Sequence, residues 1–166
     1  SGDINYAPGK TRENSKEKNG GFGKLKIELV IPGRPMGKQR PRVMRNGHTY
    51  TPDKTVNYET LVKQLYIEKY FQKQLEGPIR ATITAYMYIP KSESKKRKRK
   101  MLANEILPTK MPDWDNIGKI ITDALNGLAY EDDKQIVDAR VVKLYGDRPR
   151  VEVELEEIEK NIRNNI

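Results

Sequence analysis

Residues 112–136 hold six acids, Asp113, Asp115, Asp123, Glu131, Asp132 and Asp133, in a chain whose formal net charge is +9. A basic protein that gathers carboxylates in one segment usually has a cation to put between them. Basic arms around an acidic pocket are also how a metal-dependent nuclease grips and cuts a phosphodiester. Asp113 and Asp115 lie two apart just ahead of a helix, so extended backbone points them to one side. Asp115, Lys119 and Asp123 follow at i, i+4 and i+8 and share one helix face. A strand returning after the helix can bring Asp132 and Asp133 back toward its first turn. Carboxylates converging there would repel one another unless a divalent ion neutralised them, and Mg2+ takes oxygen ligands.

Each residue also has a plainer reading. An Asp at a helix start commonly caps it. Lys119 can pair with Asp115 or Asp123 across one turn. Glu131-Asp132-Asp133 can be a solvated turn, and Trp114, between two of the acids, is expected to be a packing residue. Two other motifs fail on inspection. An EF-hand loop beginning at Asp113 would have Ala124 where its closing Glu belongs, and a phosphate-binding loop around Gly118-Lys119 lacks its Ser/Thr and its first Gly. The absence of Cys excludes disulfides and thiolate metal sites, and fits a reducing compartment. A single His, His48, rules against a His-based metal centre or a serine-type triad and reads as a loop residue.

The elements that must position the acids follow from periodicity. Residues 1–23 have no apolar repeat and read as a flexible N-terminal arm; residues 24–157 read as one domain, and 158–166 as a C-terminal tail. Lys24 to Ile31 alternates as a strand. Residues 34–45 carry five Lys or Arg and no acid, and Pro35 and Pro41 forbid a helix there. Thr51-Pro52-Asp53 opens a helix, with Asp53 as N-cap, that runs through Gln74; Gly77-Pro78 stops it. Ile79 to Ile89 alternates strongly. Residues 91–100 hold seven Lys or Arg and one Glu and read as a short exposed helix. A further helix, Asn116 to Asn126, carries the stripe Ile117, Ile120, Ile121, Ala124 and Leu125 and stops at Gly127. Val137–Tyr145 and Arg150–Leu155 read as strands joined by a hairpin turn at Gly146-Asp147. The expected fold is α+β: a small mixed β-sheet packed by two main helices in a single domain.

The pattern Asp113-x-Asp115-Asn116-(x)2-Lys119-(x)3-Asp123-Ala124-Leu125, with Asp132-Asp133-x-Gln135-Ile136 after it, closely resembles the RusA family of Holliday-junction resolvases, common in prophages. The loop Gly37-Lys38-Gln39-Arg40-Pro41-Arg42 is similar to the prophage branch of that family. The resemblance is dense over about 25 residues, looser on either side, and excludes the first 23. It implies a homodimeric nuclease that cuts four-way DNA junctions with Mg2+ or Mn2+ in recombination and repair. Carried over position by position, Asp113, Asp115 and Asp133 are the metal-binding catalytic carboxylates, with Asp132 as the alternative third ligand, and Lys119 is the family's lysine beside them. Arg34, Lys38, Arg40, Arg42, Lys95, Lys96, Arg97, Lys98, Arg99 and Lys100 are the candidate phosphate contacts. The link from the acidic helix to the Asp pair is short for the family, and the basic run at 91–100 is heavier than its pattern requires.

The implied setting is the cytoplasm of a bacterium, on DNA, with no membrane and no small-molecule cofactor. Two other readings stand beside this one. Pro112-Asp113 with Asp132-x-Lys134 fits the loose string of a PD-(D/E)xK nuclease, although a helix intervenes where that class has a hairpin. A non-catalytic protein that binds branched DNA would also be basic, but it would have no use for the complete set of acids and the lysine.

Overall fold

The computed structural model describes residues 25–158. The N-terminal arm and all but the first residue of the C-terminal tail expected from sequence lie outside them. The elements in chain order are β1 (Lys26–Pro32), β2 (Arg42–Val43), β3 (Thr49–Tyr50), α1 (Asp53–Tyr70), β4 (Ile79–Met87), α2 (Lys95–Leu102), α3 (Trp114–Leu125), a single 3-10 turn (Asp133–Gln135), β5 (Ile136–Tyr145) and β6 (Arg150–Glu157).

Four strands form one mixed sheet in the order β1-β6-β4-β5; β4 and β5 are parallel and the other pairs antiparallel. The alternation in β1 and β4 puts Ile27, Leu29 and Ile31, and Ile79, Ala81, Ile83, Ala85 and Met87, on one face. The helices cover that face. Tyr58, Val62 and Tyr66 of α1 and Ile117, Ile120, Ile121, Ala124 and Leu125 of α3 are all buried against it. Each large aliphatic side chain so buried contributes about 2 kcal/mol. Among the described residues the opposite face of the sheet is uncovered and carries both signs of charge: Glu28 on β1, Glu152, Glu154 and Glu156 on β6 and Asp138 on β5, with the cations Lys26, Arg80, Arg140 and Arg150 among them.

Three expectations are corrected. The strands β5 and β6 do not form a hairpin, because β4 lies between them. The chain passes over the end of β4 at Gly146, whose N–H donates to the Met87 carbonyl at 3.0 Å. A Cβ on Gly146 would stand 3.0 Å from Tyr86 Cβ, so only glycine lets the chain cross so close. The basic loop is not wholly irregular, since Arg42–Val43 pairs with Thr49–Tyr50. Finally, α1 begins at Asp53 with Pro52 in the cap position, so Asp53 is not the N-cap. The helix ends at Tyr70 where Phe71 turns to φ 54°, short of Gln74. The short helix expected in the basic run is present as α2, capped by Ser94 Oγ accepting from the Arg97 N–H at 3.3 Å.

Candidate active site

The local fold of α3 determines what its acids can do. Asp113 occupies the N-cap position with extended backbone, yet its side chain makes no capping bond. Asp115 lies in the first turn. Both are exposed, and neither carboxylate has a hydrogen bond or ion pair among the described residues. The plain reading of Asp113 as a cap therefore fails. Asp132 behaves oppositely. It caps the 3-10 turn, accepting from the Lys134 N–H at 2.9 Å, while Gln135 Oε1 accepts from the Asp132 N–H at 3.1 Å. The Lys134 N–H, and then the Lys134 charge, hold the Asp132 carboxyl below its ordinary range. Asp132 is thus committed to the turn, which also removes the Asp132-x-Lys134 half of the PD-(D/E)xK string from a hairpin. Asp133 keeps its carboxylate clear of ion pairs and beside that of Asp132, while its N–H donates to Asn126 Oδ1 at 3.1 Å and its carbonyl accepts from the Ile136 N–H.

A cleft of about 290 Å3 opens beside Asp113, lined by Pro35, Met36, Gly37, Lys38 and Gln39 on one side and Met111, Pro112, Asp113 and Asn116 on the other. The basic loop is fastened directly to the start of α3. The Lys38 N–H donates to the Asn116 carbonyl at 2.8 Å. A Cβ on Gly37 would lie 2.9 Å from Pro112 Cβ and 3.1 Å from Asn116 Cβ. The Lys38 side chain does not reach into solvent for phosphate. Its Nζ pairs with Glu59 of α1 and, at 3.2 Å, with Asp123 of α3. Sequence reasoning misses Glu59, because nothing local to it marks it as a partner.

Lys119 pairs with Asp123 at 3.0 Å, the plain i,i+4 reading, and remains 58% exposed. Because Asp123 also holds Lys38, Lys119 can leave it without stranding the carboxylate. Trp114 is 64% exposed and its neighbour Met111 79%, so the packing role expected for Trp114 is wrong; both stand at the rim beside Asp113. Of the cationic candidates, Arg34 lies over the Tyr88 ring at 4.0 Å, Arg97 pairs with Glu93 at 2.7 Å, and Lys98 donates to the Lys91 carbonyl at 3.3 Å. Arg40, Arg42, Lys95, Lys96, Arg99 and Lys100 are exposed and make no ion pair among the described residues.

The expected meeting of all three carboxylates does not occur within one chain. Thirteen residues of helical rise separate Asp113 from Asn126, about 20 Å, and Asp133 is anchored at the Asn126 end. The Tyr130 phenol records the same placement: burial raises its pKa, and the negative charges of Asp133 and Asp123 raise it further. Among the described residues, no three His or acidic side chains are grouped to hold one ion. Asp113 and Asp115 are at one end of α3 and Asp133 is at the other.

Comparison with known proteins supplies the family. The chain is 37% identical over 137 residues to "Uncharacterized protein YqaN" of Bacillus subtilis (strain 168), covering 80% of this chain and 96% of that one. The family model "Endodeoxyribonuclease RusA" matches residues 32–156, which run from the last residue of β1 to the penultimate residue of β6. With the acidic helix, its flanking basic loop and the Asp pair all inside that match, the chain belongs to the RusA endodeoxyribonuclease family.

Proposed function

We propose that the protein is a metal-dependent, structure-specific endodeoxyribonuclease that resolves four-way DNA junctions by paired symmetric cuts. In this reading it works as a homodimer in which Asp113 and Asp115 of one copy and Asp133 of the other form each site. The observation that carries it is the pair of exposed, unengaged carboxylates at the start of α3, of which Asp113 lines a cleft whose other wall is the basic loop. Membership of the RusA family supplies the reaction class. The separation of Asp133 from that pair along α3 supplies the reason for a second copy.

The donor set fits a hard divalent ion. It is all oxygen, it is not spent on capping or ion pairs, and it sits in a chain otherwise rich in positive charge. Asp113, Asp115 and Asp133 would hold Mg2+ or Mn2+, which supplies Lewis-acid stabilisation of charge on the phosphodiester and its leaving oxygen. Lys119 donates to a non-bridging phosphate oxygen after leaving Asp123. Lys38 holds the basic loop against α3 so that both walls of the cleft keep their spacing. The nucleophile is water: the chain has no Cys, and no Ser or Tyr lies between Asp113 and Asp123.

The DNA path follows charge. The open sheet face sets the cations Lys26, Arg80, Arg140 and Arg150 among the acids Glu28, Asp138, Glu152, Glu154 and Glu156 and so offers no positive excess to a polyanion. Arg40, Arg42 and the exposed cations of α2 supply the phosphate contacts and a steep salt dependence. A two-fold dimer offers two equivalent sites to a junction that is itself nearly two-fold. The work is done where the DNA is, in the bacterial cytoplasm. The test is Asp115→Asn on a synthetic four-way junction with Mg2+: binding is retained and cutting is abolished. Cutting at the wild-type rate by that variant would refute the site assignment. Wild-type binding without any cutting would favour a protein that only binds branched DNA.

A further inference from the structure

Four side chains of alternating sign run from α1 across the basic loop to the exposed face of α3. Glu59 pairs with Lys38, Lys38 pairs with Asp123 Oδ2 at 3.2 Å, and Asp123 Oδ1 pairs with Lys119 at 3.0 Å. The first three are largely shielded from solvent, and Lys119, at the end of the row, is the exposed one. Each inner member faces two opposite charges and divides its attraction between them. Shielded charges this close are screened little by water or salt, so a change at one member is felt by the next.

Lys119 lies one helical turn from two acids. Asp115 precedes it by four residues and Asp123 follows it by four. On a helix the order with the acid first is the stronger of the two. The ammonium is nonetheless on Asp123, and Asp115 makes no ion pair among the described residues. The weaker order is the one in use, so the hold on Lys119 is slight and depends on how much of the Asp123 charge Lys38 takes. Lys38 is set in place by its own backbone, whose N–H donates to the Asn116 carbonyl at 2.8 Å. It uses one oxygen of Asp123 and Lys119 uses the other, so the two lysines compete for charge and not for space.

We propose that Lys38 and Glu59 are positioning residues for Lys119. Lys38, seated with the basic loop, draws charge from Asp123 and lets Lys119 swing toward the carboxylates at the start of α3; Glu59 competes for Lys38 and limits that release. This rests on the nuclease reading above, which gives Lys119 a phosphate to meet. It couples the two walls of the cleft, because the lysine is loosened only when the loop that forms the far wall is docked on α3. Neutralising successive members of the row then acts on Lys119 with alternating sign. Without the Lys38 charge, Asp123 has Lys119 alone and holds it harder. Without the Glu59 charge, Lys38 turns wholly to Asp123 and Lys119 is held less. A row that only fastens the loop has no such alternation.

The test uses the full chain as Glu59→Gln, Lys38→Met, Asp123→Asn and the Lys38→Met/Asp123→Asn double variant, with thermal melts showing which are folded at the assay temperature. Nitrogen-15 relaxation of the Lys119 ammonium, without DNA, reads how firmly it is held. Its order parameter should rise in Lys38→Met and fall in Glu59→Gln and Asp123→Asn. Single-turnover cutting of a synthetic four-way junction with Mg2+ should slow about threefold in Lys38→Met at unchanged junction affinity, the effect of one partly exposed ion pair made stronger. The double variant should recover the wild-type rate, because nothing is left to hold Lys119 back. A double variant as slow as Lys38→Met would overturn the proposal. So would an order parameter that is unchanged or raised in Glu59→Gln, which keeps the Lys38–Asp123 pair and decides the matter even if Lys38→Met does not fold. Wild-type cutting alongside either result leaves the nuclease reading intact. Order parameters that alternate as described in a protein that never cuts a junction would sink the nuclease reading and leave the control of Lys119 standing.

Discussion

Lys38 reads as a phosphate contact in the sequence and is an internal tether in the structure, and the two roles respond differently to Lys38→Met. The substitution keeps the stem and removes the charge that Glu59 and Asp123 share; their side chains are only 18% and 24% exposed. At about 4 Å and an effective dielectric of about 20, each attraction is worth on the order of 4 kcal/mol. Most of that is returned in desolvation. Burial is the largest single influence on the Lys38 ammonium and works against its charge, yet hydrogen bonds to Glu59 and Asp123 still leave its pKa above 10.5. A net of about 1 kcal/mol per pair remains, so the variant should lose about 2 kcal/mol, between the value of an exposed pair and that of a buried one. For a domain of this size that lowers the melting temperature by about 5–8 °C. The sign with pH follows from the raised pKa. The contribution is fully present below the unfolded-state value and is lost as pH rises through the folded one, so the gap between wild type and variant closes only in strong alkali. Thermal melts measure the loss, and gel shifts with junction DNA over a salt series measure the contact. The salt slope should not change. A variant that melts with wild type while its slope falls by about 0.9, the loss of one phosphate contact, would refute the tether.

Three further outcomes follow from the geometry. Gly37→Ala pushes the basic loop off Pro112 and Asn116, so cutting should fall severalfold, and the melting temperature should fall by up to the loss expected for Lys38→Met, because the shift loosens that tether. Gly146→Ala drives a methyl into Tyr86 and the Arg148 carbonyl, 3.3 Å away, and should cost about 1–3 kcal/mol in a urea titration. Replacing Lys95, Lys96, Arg99 and Lys100 together by Gln should weaken binding to every DNA alike and lower the salt slope by about 3–4. It should leave stability about equal, because losing Lys95 and Lys96 from the first turn of α2 relieves the helix dipole while losing Arg99 and Lys100 from its last turn removes cations that the dipole favours.

What can be read in advance is whatever a short window decides. The alternation of β1 and β4 and the isoleucine stripe of α3 place their own residues correctly because burial on one face is a local repeat. The crossing at Gly146 is not legible. A Gly-Asp turn between two strands looks the same whether they pair or straddle a third, and the difference lies in Tyr86, sixty residues earlier in the chain. The Lys38–Glu59–Asp123 group is hidden for the same reason, its members drawn from a loop and two helices. Asp113 and Asp132 cannot be told apart as free carboxylate and cap, since either residue type at a helix start can do either. The misplaced convergence of the acids comes from assuming that a returning strand begins beside the first turn of its helix. The strand β5 instead begins beside the last turn, and the distance this leaves along α3 is why the proposed site draws on a second copy.

That requirement can be tested by mixing two inactive proteins. Asp115→Asn and Asp133→Asn chains should each bind four-way junctions and cut none. In a heterodimer with sites shared between copies, one site carries both substitutions and the other carries neither. With Mg2+ present, an equal mixture should therefore regain nicking of one strand of the pair in its heterodimers, which are about half of the dimers and hold about a quarter of all the sites intact. A mixture as inert as its components, in heterodimers shown to have formed, would contradict it.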